Sequence, residues 1–219
     1  MAVKVPPICE RKPVFMPLPK GEVKFSSLDK PDSRFDEERP KFSITMVYTE
    51  DEIAPFRKKL EDMAADWIKE IHGKPKGKGL KLNDLPIRPD KDKEGNETGL
   101  FRVQVQCDAY RLVTQADGSK DRQLRGIPLF DAKGEPAAGV RCYSGSIARP
   151  SIRVKFYAAS NPKIGCGLSL GLEAVQVIKA SSGARSAAAY GFQAEEEATE
   201  VAADADEAPM GEYTEGQDL

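Results

Sequence analysis

Lys41-Phe42-Ser43-Ile44-Thr45-Met46-Val47-Tyr48 reads as a β-strand, and Thr49-Glu50-Asp51-Glu52-Ile53 converts it directly into a helix. Through Tyr48, Phe42, Ile44, Met46 and Tyr48 alternate with Lys41, Ser43, Thr45 and Val47, the period-two pattern of a strand with one apolar face. From Ile53 the period changes. Ile53, Phe56, Leu60, Met63, Ala64, Trp67 and Ile71 recur at spacings of three and four, with Arg57, Lys58, Lys59, Glu61 and Lys69 elsewhere around the wheel. Thr49-x-x-Glu52 fits a capping box, which assigns the carboxylates Glu50, Asp51 and Glu52 to starting a helix rather than to catalysis. Pro55 is tolerable near the first turn, and Trp67 on the apolar stripe reads as a core anchor.

Strands are expected on both sides of this helix. Met1 to Pro19 is proline-rich and reads as an extended lead-in; Val23 and Phe25 suggest a first strand, and Asp29 to Pro40 a charged loop. After the helix, 73–99 reads as a long polar loop carrying Lys74, Lys76, Lys78 and Lys81, long enough to be functional or mobile. Phe101, Val103 and Val105 then alternate with Arg102, Gln104 and Gln106. Turn signals at Asp117-Gly118 and Lys133-Gly134 precede a strand in which Ile152, Val154 and Phe156 alternate with Ser151, Arg153, Lys155 and Tyr157. Beyond Asn161-Pro162, Cys166, Leu168, Leu170 and Leu172 lead into Val175-Gln176-Val177-Ile178. Several strands with one amphipathic helix predict a mainly β chain: a small Greek-key barrel with a helix packed on it, of OB-fold type. A β-sandwich with a helical insertion is the alternative.

Charge is unevenly distributed. The 219 residues carry a formal net charge of −2 from 33 bases and 35 acids. Ala194 to Leu219 holds ten acids and no Lys or Arg, which leaves residues 1–193 at +8. The stretch is Ala- and acid-rich with few apolar groups, so it is expected to be a disordered tail on a domain spanning 1–193. A basic body with an acidic tail suits a polyanionic partner and a built-in competitor, or else an ordinary domain with a solubility tail. No apolar run reaches the roughly 20 residues of a membrane span, and no signal-peptide core follows Met1-Ala2-Val3-Lys4, so a soluble cytoplasmic protein is expected.

Enzymatic chemistry finds little to work with. Cys9, Cys107, Cys142 and Cys166 are dispersed, and His72 is the only imidazole, so neither a zinc site nor a cofactor is expected and the cysteines read as buried thiols. His72, beside Gly73, is placed to cap the carbonyl end of the helix. Gly73-Lys74-Pro75-Lys76-Gly77-Lys78-Gly79 lacks phosphate-loop spacing. No nucleophile, base and orienting group assemble.

The strand faces carry the positive reading. If the apolar sets face the core, Arg102, Gln104 and Gln106 share an outer face, as do Arg153, Lys155 and Tyr157 with Arg149 just upstream. Guanidinium, ammonium, amide and phenol groups on a sheet suit single-stranded nucleic acid, with cations for phosphates and flat groups for unpaired bases. Tyr110-Arg111 and Cys142-Tyr143 add aromatics near strand ends. These residue types alone do not separate DNA from RNA. The competing function is a scaffolding protein that binds no nucleic acid.

Tyr143-Ser144-Gly145 with Arg149, Arg153 and Tyr157, followed by Gly171-Leu172-Glu173-Ala174-Val175-Gln176, resembles the single-stranded DNA-binding proteins of tailed bacteriophages. The helix, the long loop and the acidic C-terminus occur in matching order. The resemblance implies an OB-fold that binds single-stranded DNA without strong sequence preference in replication and recombination. It also implies a tail, here Glu195, Glu196, Glu197, Asp204, Asp206, Glu207, Asp218 and Leu219, that contacts replication partners such as polymerase and helicase/primase and competes with DNA. Proteins of this functional class often end in an aromatic residue, whereas this chain ends Gln217-Asp218-Leu219, with Leu219 as the apolar tip.

Overall fold

In the computed structural model, residues 11–181 are described except 35, 116–117, 138–139 and 160–162. Ten strands and one α-helix follow in order: β1 (Val14–Pro17), β2 (Gly21–Asp32), β3 (Lys41–Tyr48), α1 (Glu50–His72), β4 (Arg88–Lys91), β5 (Glu97–Asp108), β6 (Tyr110–Thr114), β7 (Lys120–Leu124), β8 (Leu129–Phe130), β9 (Ile147–Ala158) and β10 (Cys166–Lys179). Alternation on β3 and β5 does what period two requires. Phe42, Ile44, Met46 and Tyr48 point inward against Val103, Val105 and Cys107, and the residues between them point out.

Pairing runs β2–β3–β5–β10–β9, and β9 closes back onto β2 through Gly21↔Ala148 and Glu22↔Ile147. All these pairs are antiparallel except β5–β10. A five-stranded closed Greek-key barrel of this order is an OB-fold. The helix and β4 are inserted between the second and third barrel strands, and β6, β7 and β8 between the third and fourth. Inside the barrel Ile44, Met46, Val103, Val105, Ile152, Val154 and Leu172 are buried. Each such side chain stabilises the fold by about 1.5–3 kcal/mol relative to exposure.

Helix α1 begins as its sequence dictates: the Glu52 amide donates to Thr49 Oγ1, and the Thr49 amide donates to Glu52 Oε2 at 2.9 Å. Ile53, Phe56, Leu60, Ala64, Trp67 and Ile71 form its buried stripe. Pro55 is the sixth helical residue, beyond the first turn, and is tolerated on the exposed side. Trp67 is fully buried, and its Nε1–H donates to the Tyr157 carbonyl at 3.1 Å, which fixes the end of β9 against the helix. The His72 Nε2–H donates to the Leu80 carbonyl at 3.1 Å, so this ring stitches the following segment to the helix rather than capping the helix's own carbonyls.

Three other local features differ from the sequence reading. The register slips between Val23 and Phe25, so Val23 is buried while Phe25 is 63% exposed on the outer face. A bulge at Lys24 reverses the side that plain alternation assigns. The lead-in contains β1, paired to β9, and places Phe15 outward beside Arg153. The segment 73–99 contains a short 3₁₀ turn at Pro75–Gly77, β4, and the start of β5, with which β4 pairs. Asn161-Pro162, Cys9 and the acidic tail lie outside the described residues.

Candidate nucleic-acid interface

The outer face is assembled by register. Reading across β1, β9, β10, β5, β3 and β2, one row runs Phe15, Arg153, Gly171, Gln106, Ser43, Ser27. A second joins Gln104 of β5 to Thr45 of β3 and the exposed Phe25 of β2. With strands about 4.8 Å apart, Arg153 and Gln106 stand about 10 Å from each other across β10. The polar outer side of β5 and the cationic outer side of β9 therefore belong to one continuous face.

Two glycines shape it. A Cβ on Gly167 would lie 2.8 Å from the Tyr157 hydroxyl oxygen, and one on Gly171 would lie 3.8 Å from Arg153 Nε. The Tyr157 ring thus lies across β10 at Gly167, and the Arg153 side chain reaches toward Gly171. The Asn83 side-chain amide donates to the Tyr157 hydroxyl at 2.8 Å and to the Ile164 carbonyl at 2.7 Å, which holds the ring in that position.

Over this face runs an arm, Asn83 to Lys91, which ends in β4 where the polar composition predicts a loop. Tyr157, Arg102 and Leu168 line a groove of about 960 Å³ together with this arm, including Arg88 and Lys91. The arm's far end is latched: Lys24 of β2 donates to both carboxylate oxygens of Asp90 at 2.6 and 2.8 Å, and Thr98 Oγ1 donates to Asp90 at 3.0 Å. Asp90 is 2% exposed. Burial disfavours its charge, but the Lys24 and Thr98 hydrogen bonds outweigh that and hold its carboxyl below the ordinary value.

Further clefts follow β5 toward its end. Gln104 and Gln106 line one of about 230 Å³ with Arg39, Lys41 and Ser43. Tyr110 and Arg111 line another of about 560 Å³ with Arg39, Asp108, Leu112 and Arg122. The Arg122 guanidinium lies 4.7 Å from the Tyr110 ring centre, a cation–π stack at the base of the β6–β7 hairpin.

The remaining candidate residues are placed differently. Arg149 and Lys155 are exposed on the outer side of β9, opposite Gln176 and Ser169, and line none of these clefts. Arg153 is about one quarter exposed, with Nε 2.9 Å from Glu173 Oε1, so its charge is shared with a carboxylate. Tyr143 stands apart: its hydroxyl accepts from Arg141 Nη1 at 2.8 Å, and it lines a separate cleft with Ser26 to Lys30 and Cys142. Phe25, Phe15, Arg88 and Lys91 join the outer face without having been singled out in the sequence.

Burial raises the thiol pKa of Cys107, Cys142 and Cys166, the second to about 11, so all three are protonated and non-nucleophilic at neutral pH. Among the described residues no three His, Cys, Asp or Glu side chains gather as a metal site, and no helix is long and apolar enough to cross a membrane.

No protein-family model matches the chain, and no curated protein matches its sequence. Solved structures do match. The single-stranded DNA-binding protein gp2.5 of bacteriophage T7 aligns with a TM-score of 0.58 at 16% identity, over 85% of this chain and 98% of that one. The single-stranded DNA-binding protein of bacteriophage Enc34, in complex with single-stranded DNA, aligns at 0.53 and 18% identity, over 83% and 98% of the two chains. Its C-terminal truncation aligns at 0.52 and 18%, over 83% and 99%. The fold expected from the sequence is the fold shared with these phage proteins.

Proposed function

We propose that this chain binds single-stranded DNA along β5 and the groove beneath the Asn83–Lys91 arm, with little sequence preference. The observation that carries the proposal is that groove: Arg102, Arg88 and Lys91 offer phosphate partners, and Tyr157, held by Asn83, offers an aromatic face beside them. Gln104, Gln106, Arg111 and the Tyr110–Arg122 stack extend the track. Arg149 and Lys155 supply cations on the flank, while Arg153 acts together with Glu173. Tyr143, in its separate cleft, is a peripheral contact at most. Most of these groups read charge and base planes rather than base edges, which favours affinity without sequence choice.

In this reading residues 1–193 are the binding domain and 194–219 an acidic appendage that lies outside the described residues. With ten acids and no Lys or Arg, it competes with DNA for the domain's cations. Strand binding releases it to recruit replication proteins such as polymerase and helicase/primase. Replication and recombination of phage DNA, in the host cytoplasm, is the setting that fits these properties. Fluorescence anisotropy with an oligo-dT at two salt concentrations tests the proposal. Salt-sensitive binding that exceeds binding to a duplex of equal length is expected. Absence of binding at low salt rejects it and favours the scaffolding alternative.

A further inference from the structure

We propose that Glu173 is an internal stand-in for a DNA phosphate: its carboxylate occupies the guanidinium groups of Arg125 and Arg153 in the free protein, and a single strand takes the site by displacing it. The inference rests on the single-strand reading above and adds to it the residue that sets how tightly, and how steeply with salt, the strand is held.

The backbone aims this carboxylate deliberately. On β10 the register jumps between Leu172 and Ala174, so Glu173 is the bulged residue and has no cross-strand partner on β9. A bulge re-aims a side chain that regular alternation would direct elsewhere. Here the side chain ends between two guanidiniums. Arg125 Nη2 donates to Glu173 Oε2 at 2.8 Å, while Arg153 Nε lies 2.9 Å from Oε1. The second contact lacks hydrogen-bond geometry: Arg153 Nε and Glu173 Oε1 are both buried without a hydrogen-bond partner. The carboxylate therefore satisfies one guanidinium by a hydrogen bond and holds the other by charge alone. A buried polar pair in that condition retains unspent binding capacity.

Charge and position both point to a phosphate. Glu173 is the single acid in β9 and β10, strands that carry Arg149, Arg153, Lys155 and Lys179. Two guanidiniums sharing one carboxylate leave a net positive site. A phosphodiester presents the same two-oxygen fork and the same single negative charge that arginine recognises in a carboxylate. Arg125, Arg153 and Glu173 are each about one quarter exposed, within reach of a group arriving from solvent. Arg153 also shares its cross-strand row with Gln106 on the track along β5. Displacement exchanges one anion for another, so the wild-type site holds a phosphate more weakly than two free arginines would.

The test is oligo-dT affinity across a salt series for the full chain and for Glu173→Gln, which keeps the side-chain shape and removes the charge. The expected result is binding tighter by on the order of tenfold at low salt. The salt slope should steepen by about one. In a double-mutant cycle the gain should shrink when Arg153→Gln is added and vanish when Arg125→Gln is added as well. A carboxylate that merely bolts Arg125 to the barrel predicts the reverse: a lower melting temperature and unchanged or weaker binding, which overturns the proposal. Should Glu173→Gln not fold, Arg125→Gln decides. It should weaken binding and flatten the slope, and full retention of both overturns the proposal. If the wild type binds and Arg102→Ala weakens it while Glu173→Gln changes nothing, only the role of Glu173 falls. If the wild type itself ignores oligo-dT, the single-strand reading falls and this inference with it.

Discussion

One ion pair latches the far end of the arm, beside the pairing of β4 with β5, and its removal has a calculable cost. Asp90→Ala deletes a carboxylate that is 2% exposed and accepts from Lys24 at 2.6 and 2.8 Å and from Thr98 at 3.0 Å. Breaking a fully buried pair costs about 3–5 kcal/mol because the abandoned charge stays buried. Lys24 is in a milder position. Its side chain is 26% exposed and keeps the Lys91 carbonyl at 2.9 Å, so water recovers part of the loss. About 2 kcal/mol is therefore expected. For a chain of this size that lowers the melting temperature by roughly 4–8 °C at neutral pH. The end of the arm that carries Lys91 loses this anchor, so oligo-dT affinity should fall severalfold. Acid should act on the wild type in the same way. The Asp90 carboxyl titrates below its ordinary 3.8, so the latch contributes fully above that pH and is lost as pH falls through the lowered folded value. Asp90→Asn should lack this acid-dependent component. Thermal melts at pH 7 and pH 3, paired with anisotropy at pH 7, measure both effects. An unchanged melting temperature together with unchanged affinity in Asp90→Ala would show that the latch neither stabilises the fold nor shapes the groove.

Other outcomes are expected from the same geometry. Gly167→Ala places a Cβ 2.8 Å from the Tyr157 hydroxyl oxygen and 3.1 Å from Cζ, so the ring must swing off its seat. Oligo-dT binding should weaken by up to the roughly 1–3 kcal/mol of one lost base stack, read by anisotropy with circular dichroism as the folding control. Arg102→Ala and Lys155→Ala should each weaken binding and flatten the salt slope by about one contact, and full retention of the slope would remove that residue from the interface. Deleting Ala194 to Leu219 should tighten binding at low salt, since ten acids compete for the same cations; unchanged or weaker affinity would end the competitor role.

Much of the fold is legible in the sequence because period two and period 3.6 are local signals. Phe42 to Tyr48, Phe101 to Val105 and Ile152 to Val154 show the former, and Ile53 to Ile71 the latter. What escapes is whatever depends on a register shift or on segments far apart in sequence. Phe25 reads as a partner of Val23 until the bulge at Lys24 turns it outward. Glu173 reads as an ordinary strand residue until a second bulge aims it at two arginines. Arg88-Pro89-Asp90-Lys91 has no apolar alternation, and it is a strand because β5 offers an edge and Lys24 neutralises Asp90. Gly167 and Gly171 carry no local turn signal; their meaning is the Tyr157 and Arg153 side chains directed toward them. The candidate residues of β5 and β9 are legible by face, whereas the groove needs Asn83 and Tyr157, 74 positions apart, to meet.

A crystal structure of the full chain with an oligo-dT bound tests the central claim most directly. The account predicts a single strand running along the outer side of β5, with a phosphate near Arg102 and a base on the Tyr157 ring beneath the Asn83–Lys91 arm. A strand lying elsewhere on the barrel, with that groove left open to solvent, would contradict it.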